Sequence, residues 1–205
     1  MEQRVAIFID GSNLYHALRE NLGRTDLNFS DFAKKLIGER HLFRIYYYNA
    51  LQDPQRYPEA SKEQAEFLTI LRNVPYLEVR LGGMKLSQGQ TVEKGVDVML
   101  ATDVVRYACD DAYDVAIMVS GDGDFCYALQ AVKDRGKHLE IAYFEANAAK
   151  DLLEMADIRH SMDQGFFDGL WWGRSRVTRA RPRRRRGTRS AEAKPETAQR
   201  PSEEA

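Results

Sequence analysis

The segment Val5-Ala-Ile-Phe-Ile-Asp-Gly-Ser-Asn13 constrains the fold more than any other stretch of the chain. Ala6 to Ile9 are apolar without a polar interruption, the pattern of a strand buried on both faces of a parallel sheet. The run stops at Asp10, so an acid stands at the carboxyl end of a core strand. In open α/β sheets that edge is where crevices form and ligands bind. Gly11 permits a turn, and Ser12 or Asn13 are the expected caps of a helix that Leu14 begins.

The rest of the chain alternates the two periodicities. Strands are expected at 41–49, 76–81, 114–120, 139–144 and, briefly, 158–162. Helices are expected at 32–37 with Ser30 or Asp31 as cap, at 61–72 with Ala65, Leu68 and Leu71 facing the core, and at 93–108, 126–135 and 148–156. Gly136 suits the position just past a helix end. Gly82-Gly83 and Ser87 to Gln90 read as a flexible loop on the crevice rim, and Phe166 to Trp172 as a closing packing segment. Strand–helix alternation implies an α/β fold, with helices on both faces of a mostly parallel sheet.

Charge divides the chain in two. Residues 173–205 hold 11 Lys+Arg against 4 Glu, leaving 19 basic and 27 acidic residues in 1–172, so an acidic body carries a basic tail. The expected domain is therefore 1–172. The tail 173–205, with Val177 as its one long apolar residue, is expected to be disordered. Its run Arg183, Arg184, Arg185 and Arg186 is suited to neutralising phosphates, so it is a candidate RNA-binding element. Two cysteines, Cys109 and Cys126, both in helix-like segments, point to reduced thiols rather than a disulfide framework. No apolar run reaches the roughly 18 residues of a membrane span, and no signal-peptide pattern opens the chain, so a cytoplasmic protein is expected.

Two strands end in acids, Asp10 after the first and Asp122 with Asp124 after Ser120. Parallel strands share one carboxyl edge, so these groups and Asp97, in the first turn of a helix, can converge. Two carboxylates about 4 Å apart repel by roughly 4 kcal/mol at an effective dielectric near 20. Such a cluster persists by sharing protons or holding cations, and an all-oxygen set selects Mg²⁺ or Mn²⁺. Those ions serve phosphodiester hydrolysis by activating water and offsetting charge on the leaving oxygen. Around them Asn13 could orient a phosphate or water, Ser120 could hydrogen-bond the cluster, and Lys94 could meet the anionic scissile group; Ser12 belongs to the same corner.

At these residues the chain resembles a known family. Phe8-Ile-Asp10-Gly-Ser-Asn13-Leu14, Lys94-Gly-Val-Asp97-Val, Asp103 and Ser120-Gly-Asp122-Gly-Asp124-Phe125 are similar to the NYN domain in its LabA-like (DUF88) branch, among the PIN-like nucleases. The resemblance covers about residues 3–165. It implies a three-layer PIN-like α/β/α sandwich and metal-dependent ribonuclease activity, with Asp10, Asp97, Asp122 and Asp124 as ligands of Mg²⁺ or Mn²⁺. Asp103 matches a recurrent acid of the family. RNA is the expected partner, a regulatory protein partner and a homodimer are left open, and no membrane is expected.

Two rival readings use the same residues. A noncatalytic adaptor would keep the fold and bind RNA or a regulatory partner. A haloacid-dehalogenase-type phosphatase would need an acid two residues after its nucleophile, where this chain has Ser12. His16, His41, His138 and His160 show no metal-ligand spacing, and Tyr46, Tyr47 and Tyr48 read as packing before base stacking.

Overall fold

The computed structural model of the protein describes residues 3–87 and 90–173, with backbone alone for 83–87 and 90–94. The apolar run at the amino end forms β1 (Arg4–Asp10), and it is the central strand. β2 (His41–Ala50) and β3 (Leu77–Ser87) lie in parallel to one side of it. To the other side lie β5 (Val115–Val119), β6 (His138–Tyr143) and β7 (Ile158–Ser161), also parallel. β4 (Gln90–Lys94) pairs antiparallel with β3 and ends a seven-stranded sheet in the order β4-β3-β2-β1-β5-β6-β7. The chain winds outward from β1 to β4, then returns to the opposite side of β1. The switch point therefore lies between β1 and β5, and the carboxyl ends of those strands splay around a crevice.

Side-chain parity along β1 sorts the core into two layers. Val5, Ile7 and Ile9 pack with α1 (Gly11–Leu22), α2 (Phe29–Ile37) and α3 (Pro58–Leu71). Ala6 and Phe8 pack with α4 (Val96–Cys109), α5 (Cys126–Asp134) and α6 (Lys150–Met155). The architecture is an α/β/α sandwich with a mostly parallel central sheet, as the alternation implies. The segment after β7 closes the first layer. Phe167 stacks on Phe32 and Phe144 with ring centroids 6.1 and 5.6 Å away. Leu27 and Trp171 form an isolated antiparallel bridge. Burying one such Phe stabilises the fold by about 1.5–3 kcal/mol.

Several local expectations are corrected. Neither Ser12 nor Asn13 caps α1: the helix starts at Gly11, and Asp10 itself is the N-cap, accepting from the Asn13 N–H. Asn28, not Ser30 or Asp31, caps α2 by accepting from both of their N–H groups. The buried residues of α3 are Leu68 and Leu71, with Phe67 packed beside them, while Ala65 is exposed. Gly82 and Gly83 are strand residues of β3 and not loop, and Gln90 to Lys94 form β4, so α4 begins at Val96 rather than Glu93. A short 3-10 turn, Gly123–Phe125, precedes α5, and Gly136 does take the left-handed conformation just past that helix.

Candidate active site

Asp10 is held as a strand-to-helix corner requires. One carboxylate oxygen, Oδ1, accepts from the Asn13 N–H at 3.0 Å, and the other, Oδ2, accepts from the Ser120 hydroxyl at 3.2 Å. The Asp122 N–H donates to Ser120 Oγ at 3.1 Å, and the Gly121 N–H to Asn13 Oδ1 at 3.1 Å. These bonds tie the end of β1 to the end of β5. Only 6% of the Asp10 surface is exposed. Gly121 is fixed by space: a Cβ there would stand 2.1 Å from the Asn147 carbonyl oxygen.

An open cleft of about 540 Å³ lies over this corner, lined by Asp10, Asp97 and Asp122 together with Ser12 and Asn13. Asp97 reaches it from the first turn of α4, Asp122 from the loop after β5. Asp124 is exposed and is not among the described residues lining the cleft; its N–H donates to Asp122 Oδ1 at 2.9 Å. Burial, followed by the charge of Asp97 and then that of Asp122, pushes the Asp10 carboxyl above its ordinary range, against the hydrogen bonds from Asn13 and Ser120. Asp97 is pushed up as well, by burial first and by Asp122 and Asp124 next. Asp10 thus feels Asp97 and Asp122, Asp97 feels Asp122 and Asp124, and no Lys or Arg is among the described lining residues of the cleft.

Hard divalent cations fit this donor set in chemistry and charge: carboxylates and an amide, oxygen ligands, with no competing thiolate or described cation. Among the described residues no three His, Cys, Asp or Glu groups stand as a ready cage. Asp97 is exposed and makes no side-chain hydrogen bond to another described residue.

Not every candidate converges here. Asp103 lies away from the cleft, buried against the opposite face of β2. It accepts from the Tyr48 hydroxyl at 3.0 Å and pairs with Arg80 at 2.5 Å and Arg106 at 3.2 Å. It braces the α4 layer and is not among the described residues that line the cleft. The Lys94 side chain and Arg183 to Arg186 lie outside the described residues. Three cleft residues escaped sequence reasoning: His16, Glu20 and Asn147. The first two share a face of α1 with Ser12, at the i, i+4, i+8 spacing, which is the signal that could have found them. Asn147 comes from a distant turn and accepts from the Asn21 amide at 2.7 Å.

A family model described as NYN domain matches residues 4–163. The chain belongs to the NYN domain family. Its similarity to Low amplitude and bright protein LabA of Synechococcus elongatus is 28% identity over 162 residues, 75% of this chain and 81% of the relative. A crystal structure of a protein of unknown function from Vibrio parahaemolyticus RIMD 2210633 is similar in fold, with a TM-score of 0.66 and 25% identity, covering 80% of this chain and 94% of the other. The motifs around Asp10, Asp97 and Asp122 all fall inside the NYN match. Among the described residues no helix is long and apolar enough to cross a membrane.

Proposed function

We propose that this NYN protein is a metal-dependent endoribonuclease. The observation that carries the reading is the meeting of Asp10, Asp97 and Asp122 in one cleft at the switch point, where burial and mutual repulsion raise the carboxyl groups of Asp10 and Asp97. An acid cluster that is costly without a counterion suits a site whose task needs one. Asp10, Asp97, Asp122 and Asp124 would hold Mg²⁺ or Mn²⁺. When bound, such an ion supplies an activated water and offsets negative charge on the phosphate.

The chain's own residues do the positioning. Asp10 cannot swing, because both oxygens are engaged, from Asn13 and from Ser120. Asn13 commits its Oδ1 to the Gly121 N–H, which leaves its amide N–H₂ to donate to a phosphate oxygen. Ser12 and His16 stand on the cleft wall where the RNA backbone would pass. The domain 1–172 would carry the chemistry. The Arg-rich segment 173–205, through Arg183 to Arg186, would add salt-sensitive affinity for RNA.

The test is hydrolysis of varied RNAs by the purified protein in Mg²⁺ or Mn²⁺. Cleavage is expected from the native chain, with a loss of at least about 100-fold in Asp10→Asn, the scale of removing one transition-state electrostatic contact. RNA left intact in both metals sinks the hydrolase reading. That no three carboxylate, His or Cys groups form a ready metal cage among the described residues favours one alternative, an RNA-binding regulator that keeps the fold. In that case RNA binding would survive Asp10→Asn unchanged.

A further inference from the structure

In the layer of α1, α2 and α3, residues of α1, α3 and the start of α2 line a second chamber of about 410 Å³, within the range of small-molecule pockets. Its floor is aromatic. Phe29 meets Tyr47 edge to face at 5.6 Å between centroids, and Tyr47 meets Phe67 at 5.8 Å. Strand parity puts Tyr47 here, while Tyr46 and Tyr48 point into the opposite layer. The chamber is held open by Gln64, whose Nε2 donates to the Ala50 carbonyl at 2.6 Å and whose Oε1 accepts from the Gln52 N–H at 2.8 Å. Around the mouth stand Ser12, His16, Thr25, Gln52 and Glu63, none with a side-chain hydrogen bond to another described residue. Ser12 and His16 line the acidic cleft too, so the two cavities share a wall.

A floor of aromatic rings set edge to face, with Phe67 the partly exposed one, a rim of donors and acceptors without side-chain partners among the described residues, and a shared wall with the acidic cleft match one kind of guest. We infer that this chamber receives one unstacked base of a single-stranded RNA whose adjoining phosphate lies over the acids. The inference rests on the ribonuclease reading for the placement of that phosphate. A base already paired in a duplex cannot enter, so the chamber selects unpaired RNA.

Ala60 is exposed on the α3 wall of the chamber, and Ala60→Trp fills the space without touching the acids. Fluorescence anisotropy on the full chain in Ca²⁺ would compare a labelled oligouridine dodecamer with an abasic dodecamer of the same backbone. The native chain is expected to prefer the uridine strand about tenfold, the scale of one base stacked on aromatic rings. Ala60→Trp is expected to bind both strands alike, at the abasic level. Should Ala60→Trp fail to fold, Thr25→Trp blocks the chamber from another wall. Equal affinity of the native chain for the two strands, no binding to either, or an unchanged preference in the blocked variant overturns the inference. Cleavage in Mg²⁺ is scored separately. A uridine preference with intact RNA keeps the chamber and removes the hydrolase reading, whereas cleavage without a preference does the reverse.

Discussion

Gly121→Ala isolates the contact that joins β5 to the turn carrying Asn147. The new methyl would stand 2.1 Å from the Asn147 carbonyl oxygen, 2.8 Å from its carbon and 3.1 Å from the Ala148 Cα. All three are backbone atoms, so no side chain can rotate away, and the turn or the strand end must shift. Overpacking costs about 1–3 kcal/mol, and a clash with backbone belongs at the upper end of that range. For a domain of roughly 150–250 residues about 3 kcal/mol lowers the Tm by roughly 6–12 °C. The control is Gly136→Ala. There a Cβ meets nothing within 4 Å, and the cost is that of holding alanine at φ +72°, about 1–2 kcal/mol. Urea unfolding monitored by circular dichroism reads both variants. Gly121→Ala should lose clearly more than Gly136→Ala, and should also weaken RNA cleavage, because the Gly121 N–H orients Asn13. A Gly121→Ala protein whose stability matches that of the native chain would refute the close-approach reasoning.

The raised carboxyls of Asp10 and Asp97 bind protons more tightly folded than unfolded. Their stabilising share is therefore complete below about pH 4 and is lost as pH rises through their folded values. Without metal, the urea midpoint of Asp10→Asn relative to the native chain should rise from acid to mildly alkaline pH, and a constant difference would contradict this. Mg²⁺ should raise the Tm of the native chain, by the equivalent of about 2.7 kcal/mol at a concentration roughly 100 times its Kd. Calorimetry should show that rise absent in Asp10→Asn. Asp103→Ala leaves Arg80 and Tyr48 without their buried partner, a loss of about 3–5 kcal/mol. Because Asp103 is not among the described cleft residues, the midpoint for Mn²⁺ binding in the cold should stay unchanged, and a clear weakening would contradict this.

The sandwich and its central strand were legible because burial writes itself into composition: Ala6 to Ile9 can only be a strand covered on both sides, and its terminal Asp10 must face the carboxyl edge. The resemblance through Asp10, Asp97 and Asp122 was legible for the same reason, since each acid follows or opens a recognisable element. The hairpin of β3 and β4 was not, because Gly82 and Gly83 carry the turn signal while lying inside a strand. Capping was misassigned to Ser12 because local propensity ranks serine and aspartate alike, and only the chain's path makes Asp10 the cap.

The order of residues by itself determined which side chains are apolar, at what period, and hence the layers they fill. Tertiary structure decided what the acids meet: Asp10, Asp97 and Asp122 line one cleft, while Asp103 is taken by buried partners. Asp97 and Asp103 lie on one helix, yet Arg80 from β3 claims the second and leaves the first to Asp10. It also built the second chamber from α1, β2 and α3, whose residues are far apart in the chain, from Gly11 to Phe67. Periodicity is a property of neighbours along the chain, whereas a site is made by neighbours in space, which the crossovers of the sheet bring together.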